Sequence, residues 1–342
     1  MTMPENVAVV GAGSWGTTIA KILGENNVPV TFWARREEVC EEVNEQHTNE
    51  RYLPAAPLAP NVVATSDLQK VCETCQVIIM VVPSHGLREI TLKMGPYLDG
   101  GHVLVHAVKG IEQDSFRRMS EILRQETCVR KVGVLSGPNL AKELAKCQPA
   151  GTLIASRYDE VFSRCHDALH NRYFRVYGSR DVIGAEVGGA FKNIVALAAG
   201  VVDGLKLGDN TKALLLTRGL SEMARYGDAM GAQVLTFGGM AGIGDLMATC
   251  ASPHSRNHQV GERLATGETL EQIRESMFMV AEGVKTTRAI HAYAQYKGID
   301  LPIVAAVYRL LFEKISVLKV IEQLMEIPTG AEFAQMAQGM RL

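Results

Sequence analysis

The stretch Val7-Ala8-Val9-Val10-Gly11-Ala12-Gly13-Ser14-Trp15-Gly16-Thr17-Thr18-Ile19-Ala20 decides the fold. A short apolar run breaks into three spaced glycines and then into a helix-like pattern, so the segment reads as strand, tight turn, helix. Gly11 supplies the backbone angles of the turn, Gly13 lets a pyrophosphate approach the main chain, and Gly16 lets helix and strand pack closely. N–H groups at the helix start, with the positive end of its dipole, face the phosphates. A glycine turn of this spacing also occurs without a ligand. The strand in front and the helix behind are what turn it into a dinucleotide site.

After the first helix, residues 18–26, Val30-Thr31-Phe32-Trp33 reads as a second strand and closes a β-α-β unit. Where an NAD-preferring fold places an acid for the adenosine ribose, this chain has Ala34-Arg35-Arg36. An acid would repel a 2′-phosphate, whereas a guanidinium pairs with it bidentately. NADP(H) is therefore favoured and NAD(H) stays possible; the alternative is a pair of solvated surface arginines. From 47 to 61 the pattern is lost, and Pro54, Pro57 and Pro60 mark an irregular surface excursion. Val62-Val63-Ala64 is a third strand, with Ser66-Asp67 as the next helix start. Val77-Ile78-Ile79-Met80-Val81-Val82 is apolar at consecutive positions, as a parallel strand covered on both faces requires. It stops at Pro83-Ser84.

His102-Val103-Leu104-Val105-His106 delivers Ala107-Val108-Lys109-Gly110 to the carboxyl edge of the sheet, where ligands bind in open α/β folds. Lys109 there either faces a ligand or is an exposed loop lysine. Val132-Gly133-Val134-Leu135 ends in Ser136-Gly137-Pro138-Asn139 at the same edge, and a helix-like pattern follows from Leu140. Gly151-Thr152-Leu153-Ile154-Ala155 and Phe174-Arg175-Val176-Tyr177 read as two last strands around a helix at 159–170.

From Ile183 helix follows helix. The expected architecture is α/β: a dinucleotide-binding domain over 1–182 with a mostly parallel sheet, then an all-helical domain over 183–342 that binds the substrate. Residues 184–200 are too apolar for a surface helix, yet they carry Glu186, Lys192 and Asn193. A lysine in such a helix either snorkels or does chemistry, because burying it unpaired is costly. An amphipathic helix follows at 211–226. Phe237-Gly238-Gly239-Met240-Ala241-Gly242-Ile243-Gly244-Asp245-Leu246 has glycines but no preceding strand and reads as a flexible loop. Its Gly244-Asp245 opens a short helix, a place where capping alone would explain the aspartate. In Ser252-Pro253-His254-Ser255-Arg256-Asn257-His258 the arginine and asparagine suit a phosphate clamp. His254 and His258 lack a third metal ligand and read as solvated loop histidines, so no metal is expected. Helices at 282–297, 302–315 and 317–325 complete the chain, with Pro302 well placed at a first helical position.

At 342 residues the chain is long enough for two domains. With 47% apolar residues, 21% charged and a net charge of −2 it shows neither the basic stripe of a nucleic-acid binder nor a basic amphipathic membrane helix. No apolar run approaches the roughly 20 residues that span a bilayer. Residues 1–6 lack the features of a secretion signal. A cytoplasmic enzyme is the expectation. Seven scattered cysteines, an odd number, argue for reduced thiols. The pair Cys72 and Cys75 closes a helix instead of opening one, and reads as two half-buried small residues.

With these blocks in order, the chain resembles the NAD(P)-dependent glycerol-3-phosphate dehydrogenases of the soluble bacterial type over nearly its whole length. The resemblance rests on Gly11-Ala12-Gly13-Ser14-Trp15-Gly16-Thr17, Ala107-Val108-Lys109-Gly110, Ser136-Gly137-Pro138, Gly188-Gly189-Ala190-Phe191-Lys192-Asn193, Gly244-Asp245-Leu246 and Ser255-Arg256-Asn257. It implies a Rossmann-like N-terminal domain and an all-α domain of the 6-phosphogluconate dehydrogenase C-terminal type. It also implies reversible hydride transfer between C4 of the nicotinamide and C2 of dihydroxyacetone phosphate, giving sn-glycerol 3-phosphate for phospholipid synthesis. By the same resemblance Lys192 is the general acid/base, which suits a ketone oxygen that gains negative charge. Burial and a neighbouring cation would lower its pKa.

The resemblance further implies that Lys109 flanks that oxygen, that Asp245 and Asn193 orient the lysine and the substrate hydroxyls, and that Thr249 is a candidate for the pocket. Gly137, Asn139, Ser255, Arg256 and Asn257 fall on the substrate, with Arg256 also near the cofactor. Ser14, Trp15, Arg35, Arg36, Lys109, Ala141, Val280 and Glu282 fall on the cofactor beside Gly11, Gly13 and Gly16. Asn139 stands where related chains often carry serine or threonine. A homodimer is the expected assembly. Two other readings compete. A two-domain dehydrogenase like a ketopantoate reductase would bind a carboxylate where this reading places a phosphate. A dinucleotide-sensing regulator would hold Lys192 away from the nicotinamide, with Lys109 and Asp245 apart.

Overall fold

The computed structural model describes residues 5–277 and 281–327. Eight strands, β1 (Val7–Val10), β2 (Val30–Trp33), β3 (Val62–Thr65), β4 (Val77–Met80), β5 (Val103–His106), β6 (Lys131–Ser136), β7 (Ala150–Ser156) and β8 (Phe174–Ser179), form one sheet in the order β3-β2-β1-β4-β5-β6-β7-β8. Neighbours are parallel except β6 and β7, which run antiparallel. Val7 stands opposite Val30 on one side and Val77 on the other. The order reverses between β1 and β4, which opens a crevice beyond the carboxyl end of β1.

The continuous apolar runs have a simple cause. Val7 and Val9 of β1, Val77 and Ile79 of β4, and Val103 and Val105 of β5 enter one hydrophobic cluster; Ala8, Val10, Ile78, Met80 and Leu104 enter another. Alternate residues of a strand point to opposite faces, so helices on both sides demand apolar side chains at every position. Asp67 starts the helix Leu68–Thr74 by accepting from the N–H groups of Gln69 (2.9 Å) and Lys70 (3.2 Å).

Two compact units divide the described chain. One runs through Lys109 and resumes from Arg118 to Val182; the other takes Gly110–Arg117 and continues from Ile183. Among the described residues no strand follows β8. The second unit is built on the helix Val182–Gly204, whose Val187, Phe191, Ile194, Val195 and Leu197 sit in its core with Tyr226 and Phe237. This helix is long and apolar enough to cross a membrane, contrary to the expectation that no such run exists, but nearly all of it is buried inside the protein.

Small residues make that burial possible. A Cβ on Gly200 would overlap the carbonyl oxygen of His258, one on Gly261 that of Leu197, and one on Gly188 that of Ala241. Backbones therefore touch where side chains would hold them apart. The segment expected to be a flexible loop is wound instead: a 3-10 turn, Val234–Gly238, leads into a π turn, Met240–Gly244, that runs straight into the helix Asp245–Ala251. Phe237 fixes it. Its ring lies where a side chain on Gly227 would be, and its backbone lies where one on Gly242 would be.

Candidate active site

In the first unit the glycine turn behaves as its spacing suggests. Gly11 has φ +122°, and a Cβ there would stand 2.6 Å from the Val81 carbonyl oxygen. A Cβ on Gly16 would overlap the carbonyl of Gly11, so this glycine seats the helix Ser14–Glu25 on the turn. Gly13 differs: a Cβ there would meet nothing within 4 Å. Open space at the one glycine expected to face a pyrophosphate is what a dinucleotide cradle requires.

The segment 47–61 carries no helix or strand, but it is more than the surface excursion its prolines suggest. Asn49 is 0% exposed and donates to the Ala12 carbonyl (3.0 Å) and the Thr17 hydroxyl (2.8 Å). The Ser14 hydroxyl donates to the Tyr52 carbonyl (2.6 Å), so that hydroxyl holds the strap. Trp15 is half-buried against the first core. Nothing in the periodicity marks Asn49, because its partners are backbone and a threonine.

At the carboxyl ends of β5 and β6 the Lys109 ammonium donates to the Gly137 carbonyl (3.5 Å). Asn139 uses its side chain on β7: its amide donates to the Gly151 carbonyl (3.0 Å) and its oxygen accepts from the Thr152 hydroxyl (2.9 Å). Those ties account for an asparagine where a shorter hydroxyl would not reach both partners. Ala141 opens the one-turn helix Ala141–Leu144, and its carbonyl accepts from Thr18 of the dinucleotide helix (3.4 Å).

In the second unit Lys192 is 6% exposed and Asp245 1%. The Lys192 ammonium donates to the Asp245 carboxylate and to the Thr249 hydroxyl (2.7 Å), and that hydroxyl lies 3.4 Å from the same carboxylate oxygen. The neighbour of the lysine is thus an anion, and the carboxylate is what makes a buried ammonium tolerable. The glycines set this up. Gly188, one turn before Lys192, lets the backbone of Ala241 approach, and Asp245 is one turn after Ala241.

Asn257, which was expected on a phosphate, ties three helices together: its amide donates to the Asn193 side chain (2.9 Å) and its oxygen accepts from the Gly283 N–H (2.9 Å). Ser255 caps the helix Arg256–Ala265 by accepting from the His258 N–H (3.4 Å). Arg256 presents solvent-exposed surface yet is recessed among protein atoms; this desolvation lowers its pKa, and the Glu282 carboxylate opposes the shift. Val280 lies outside the described residues.

His258 is not a solvated loop histidine. It is buried, with Nε2 2.6 Å from the Asp203 carboxylate, which also accepts from Lys212 (2.6 Å). Burial raises the pKa of Asp203, but those two partners outweigh it and hold the carboxyl below its usual range. His254 is exposed, and no metal-binding group of histidine, cysteine or carboxylate residues occurs among the described residues. All seven cysteines are free, and burial pushes the Cys72 thiol up to about 12, so it is inert at neutral pH.

Comparison with known proteins bears on both units. Residues 6–162 match the family NAD-dependent glycerol-3-phosphate dehydrogenase N-terminus, and residues 181–322 match the C-terminus of the same family. A glycerol-3-phosphate dehydrogenase [NAD(P)+] from Halalkalibacterium halodurans is 45% identical over 312 residues, 90% of either chain. Among solved structures, glycerol-3-phosphate dehydrogenase from Coxiella burnetii superposes with a TM-score of 0.90 at 35% identity, covering 95% of this chain and 99% of that one. The Saccharomyces cerevisiae enzyme gives 0.84 at 29%, covering 94% and 100%. The chain is an oxidoreductase and belongs to the NAD-dependent glycerol-3-phosphate dehydrogenase family.

Proposed function

We propose that the chain catalyses the reversible NAD(P)H-dependent reduction of dihydroxyacetone phosphate to sn-glycerol 3-phosphate, with Lys192 as the general acid/base. The observation that carries this reading is the buried constellation of Lys192, Asp245 and Thr249 in a member of this family. A bound dinucleotide supplies the hydride, which passes from C4 of its nicotinamide to C2 of the ketone. As the carbonyl becomes an alkoxide, Lys192 gives its oxygen a proton; in the reverse direction the neutral amine takes that proton back. Asp245 and Thr249 hold the nitrogen in place and so determine where the proton is delivered. Arg256 and the start of its helix meet the substrate phosphate, since a guanidinium beside N–H groups at a helix N-terminus suits a dianion. Lys109, with Gly137 and Asn139 beside it, adds a second cation toward the substrate.

The cradle at Gly13 takes the pyrophosphate, and Arg36 meets the ribose 2′-phosphate, which favours NADP(H) over NAD(H). The same proposal carries the cytoplasmic location, the homodimer and the supply of glycerophospholipid synthesis that the resemblance implies. Lys192→Ala tests it. Dihydroxyacetone phosphate reduction falls by about 100-fold or more, the usual contribution of a general acid, while NADPH affinity, read by quenching of tryptophan fluorescence, stays within twofold. A variant retaining half its activity overturns the assignment.

A further inference from the structure

Arg35 and Arg36 are neighbours in sequence, yet they do not share a target. Arg36 is in an extended conformation (φ −106°, ψ 129°), in which adjacent side chains leave on opposite sides. Arg35 lies within electrostatic range of Glu89, whose carboxyl is held low mainly by its hydrogen bond to Lys93. Arg36 goes to Tyr52: its guanidinium carbon is 5.7 Å from the ring centroid, and Nη2 donates to the phenol oxygen (3.5 Å). A second guanidinium, that of Arg51, meets the same ring at 6.0 Å. Arg51 is exposed and Tyr52 half-buried.

The strap that carries Arg51 and Tyr52 is tied to the dinucleotide turn at two points, by Asn49 on Ala12 and Thr17, and by Ser14 on the Tyr52 carbonyl. A third tie, in which the Glu42 carboxylate accepts from the Thr48 hydroxyl (2.9 Å) and the Glu50 N–H (2.7 Å), holds it to the helix Glu37–Gln46 that follows Arg36. Two cations from different segments are thus brought to one aromatic ring beside the end of β2, where the adenosine ribose of a dinucleotide lies.

We propose that Arg51 is a specificity-determining residue for the cofactor: with Arg36 it forms a two-guanidinium grip on the 2′-phosphate, while Arg35, which leaves the extended backbone on the opposite side, contributes little. A ribose 2′-phosphate carries close to two negative charges at neutral pH, more than one guanidinium neutralises. This rests on the proposal above that Arg36 meets that phosphate. The test uses the full chain and two probes, 2′,5′-ADP and 5′-AMP, which differ only in the 2′-phosphate, with affinity read by calorimetry and KM read for NADPH and NADH. Arg51→Ala weakens 2′,5′-ADP about tenfold and raises KM for NADPH by a similar factor, with 5′-AMP affinity and KM for NADH within twofold. Arg51→Lys, which keeps the charge and loses the fork, falls between.

If Arg36→Ala loses the 2′-phosphate preference and Arg51→Ala keeps it, the second cation is not Arg51 and the inference is overturned. If Arg36→Ala also keeps it, the reading of the 2′-phosphate site fails first and this inference with it. Arg51 is exposed, so its removal leaves the thermal midpoint unchanged; a drop that accompanies equal losses for both probes assigns Arg51 to the fold and refutes the grip.

Discussion

The ion pair between Lys192 and Asp245 sets up a double-mutant cycle whose outcome follows from its burial. The two residues are 6% and 1% exposed, so removing either one leaves a charge away from water. Breaking a buried pair by removing one partner costs about 3–5 kcal/mol. In Asp245→Ala the Thr249 hydroxyl still accepts from the lysine at 2.7 Å, which places the expected loss near the lower end, about 3 kcal/mol. Lys192→Met strands the carboxylate and loses a similar amount. The double variant removes both charges, so its loss is smaller than the sum of the singles by about 2 kcal/mol, within the range seen for residues in direct contact. Urea unfolding reads all three. Both tryptophans, Trp15 and Trp33, belong to the first unit, so fluorescence follows the sheet while circular dichroism at the helical band is dominated by the second unit. If Asp245→Ala loses less than about 1 kcal/mol, or the cycle is additive to within about 0.5 kcal/mol, the argument that this pair is buried and coupled is wrong.

Gly13 and Gly16 separate binding from folding. Gly13→Ala leaves the urea midpoint unchanged, because its methyl meets nothing within 4 Å, yet weakens NADPH by about tenfold or more by filling the pyrophosphate approach. Gly16→Ala drives a methyl into the Gly11 carbonyl and costs about 1–3 kcal/mol before any ligand is added; equal stability in the two variants sinks this distinction. Glu222 governs a pH effect. Burial, acting against two N–H donors from Ile303 and Val304, pushes its carboxyl up to about 8. The folded state therefore binds this proton more tightly than the unfolded state, and the stability it contributes is fully present below the usual carboxylate pKa and is lost as pH rises toward 8. Glu222→Gln, measured against the parent chain by urea unfolding at pH 5 and pH 8, gains relative stability at the higher pH; no change with pH refutes the assignment.

The sheet was legible because its code is local. Two covered faces force consecutive apolar residues, and each strand could be read from its own stretch, to within two residues at either end for β1, β2, β4 and β5. The glycine turn was legible for the same reason, since its three roles fall within six positions. The strap at 47–61 was not: its hold on the turn runs through a single asparagine and a serine hydroxyl to main-chain groups, which impose no pattern on the residues around them. Nor was the burial of His258. A histidine between polar residues reads as solvated, and only the close approach of Gly200 to its backbone brings it within reach of Asp203. Asn139 was expected on the substrate by resemblance and Asn257 also from its polar loop, but the side chains of both brace neighbouring segments: that of Asn139 bonds to β7, and that of Asn257 links three helices.

Two buried titratable side chains in the helical unit look alike in sequence but differ in what surrounds them. Glu222 and Lys192 each interrupt an apolar helix face, and each is nearly inaccessible. Glu222 is satisfied by the N–H groups of Ile303 and Val304 at the start of the helix Pro302–Phe312, donors that would otherwise be left without a partner in the interior. That accounts for the glutamate without any ligand. Lys192 instead donates to two further side chains, Asp245 and Thr249, themselves buried. A pair of apolar residues of similar volume would hold the two helices together as well or better, since desolvating both ions offsets most of their attraction. Stability therefore gives no reason for the lysine, the carboxylate and the hydroxyl to be there together, whereas the proton transfer proposed for Lys192 would give one.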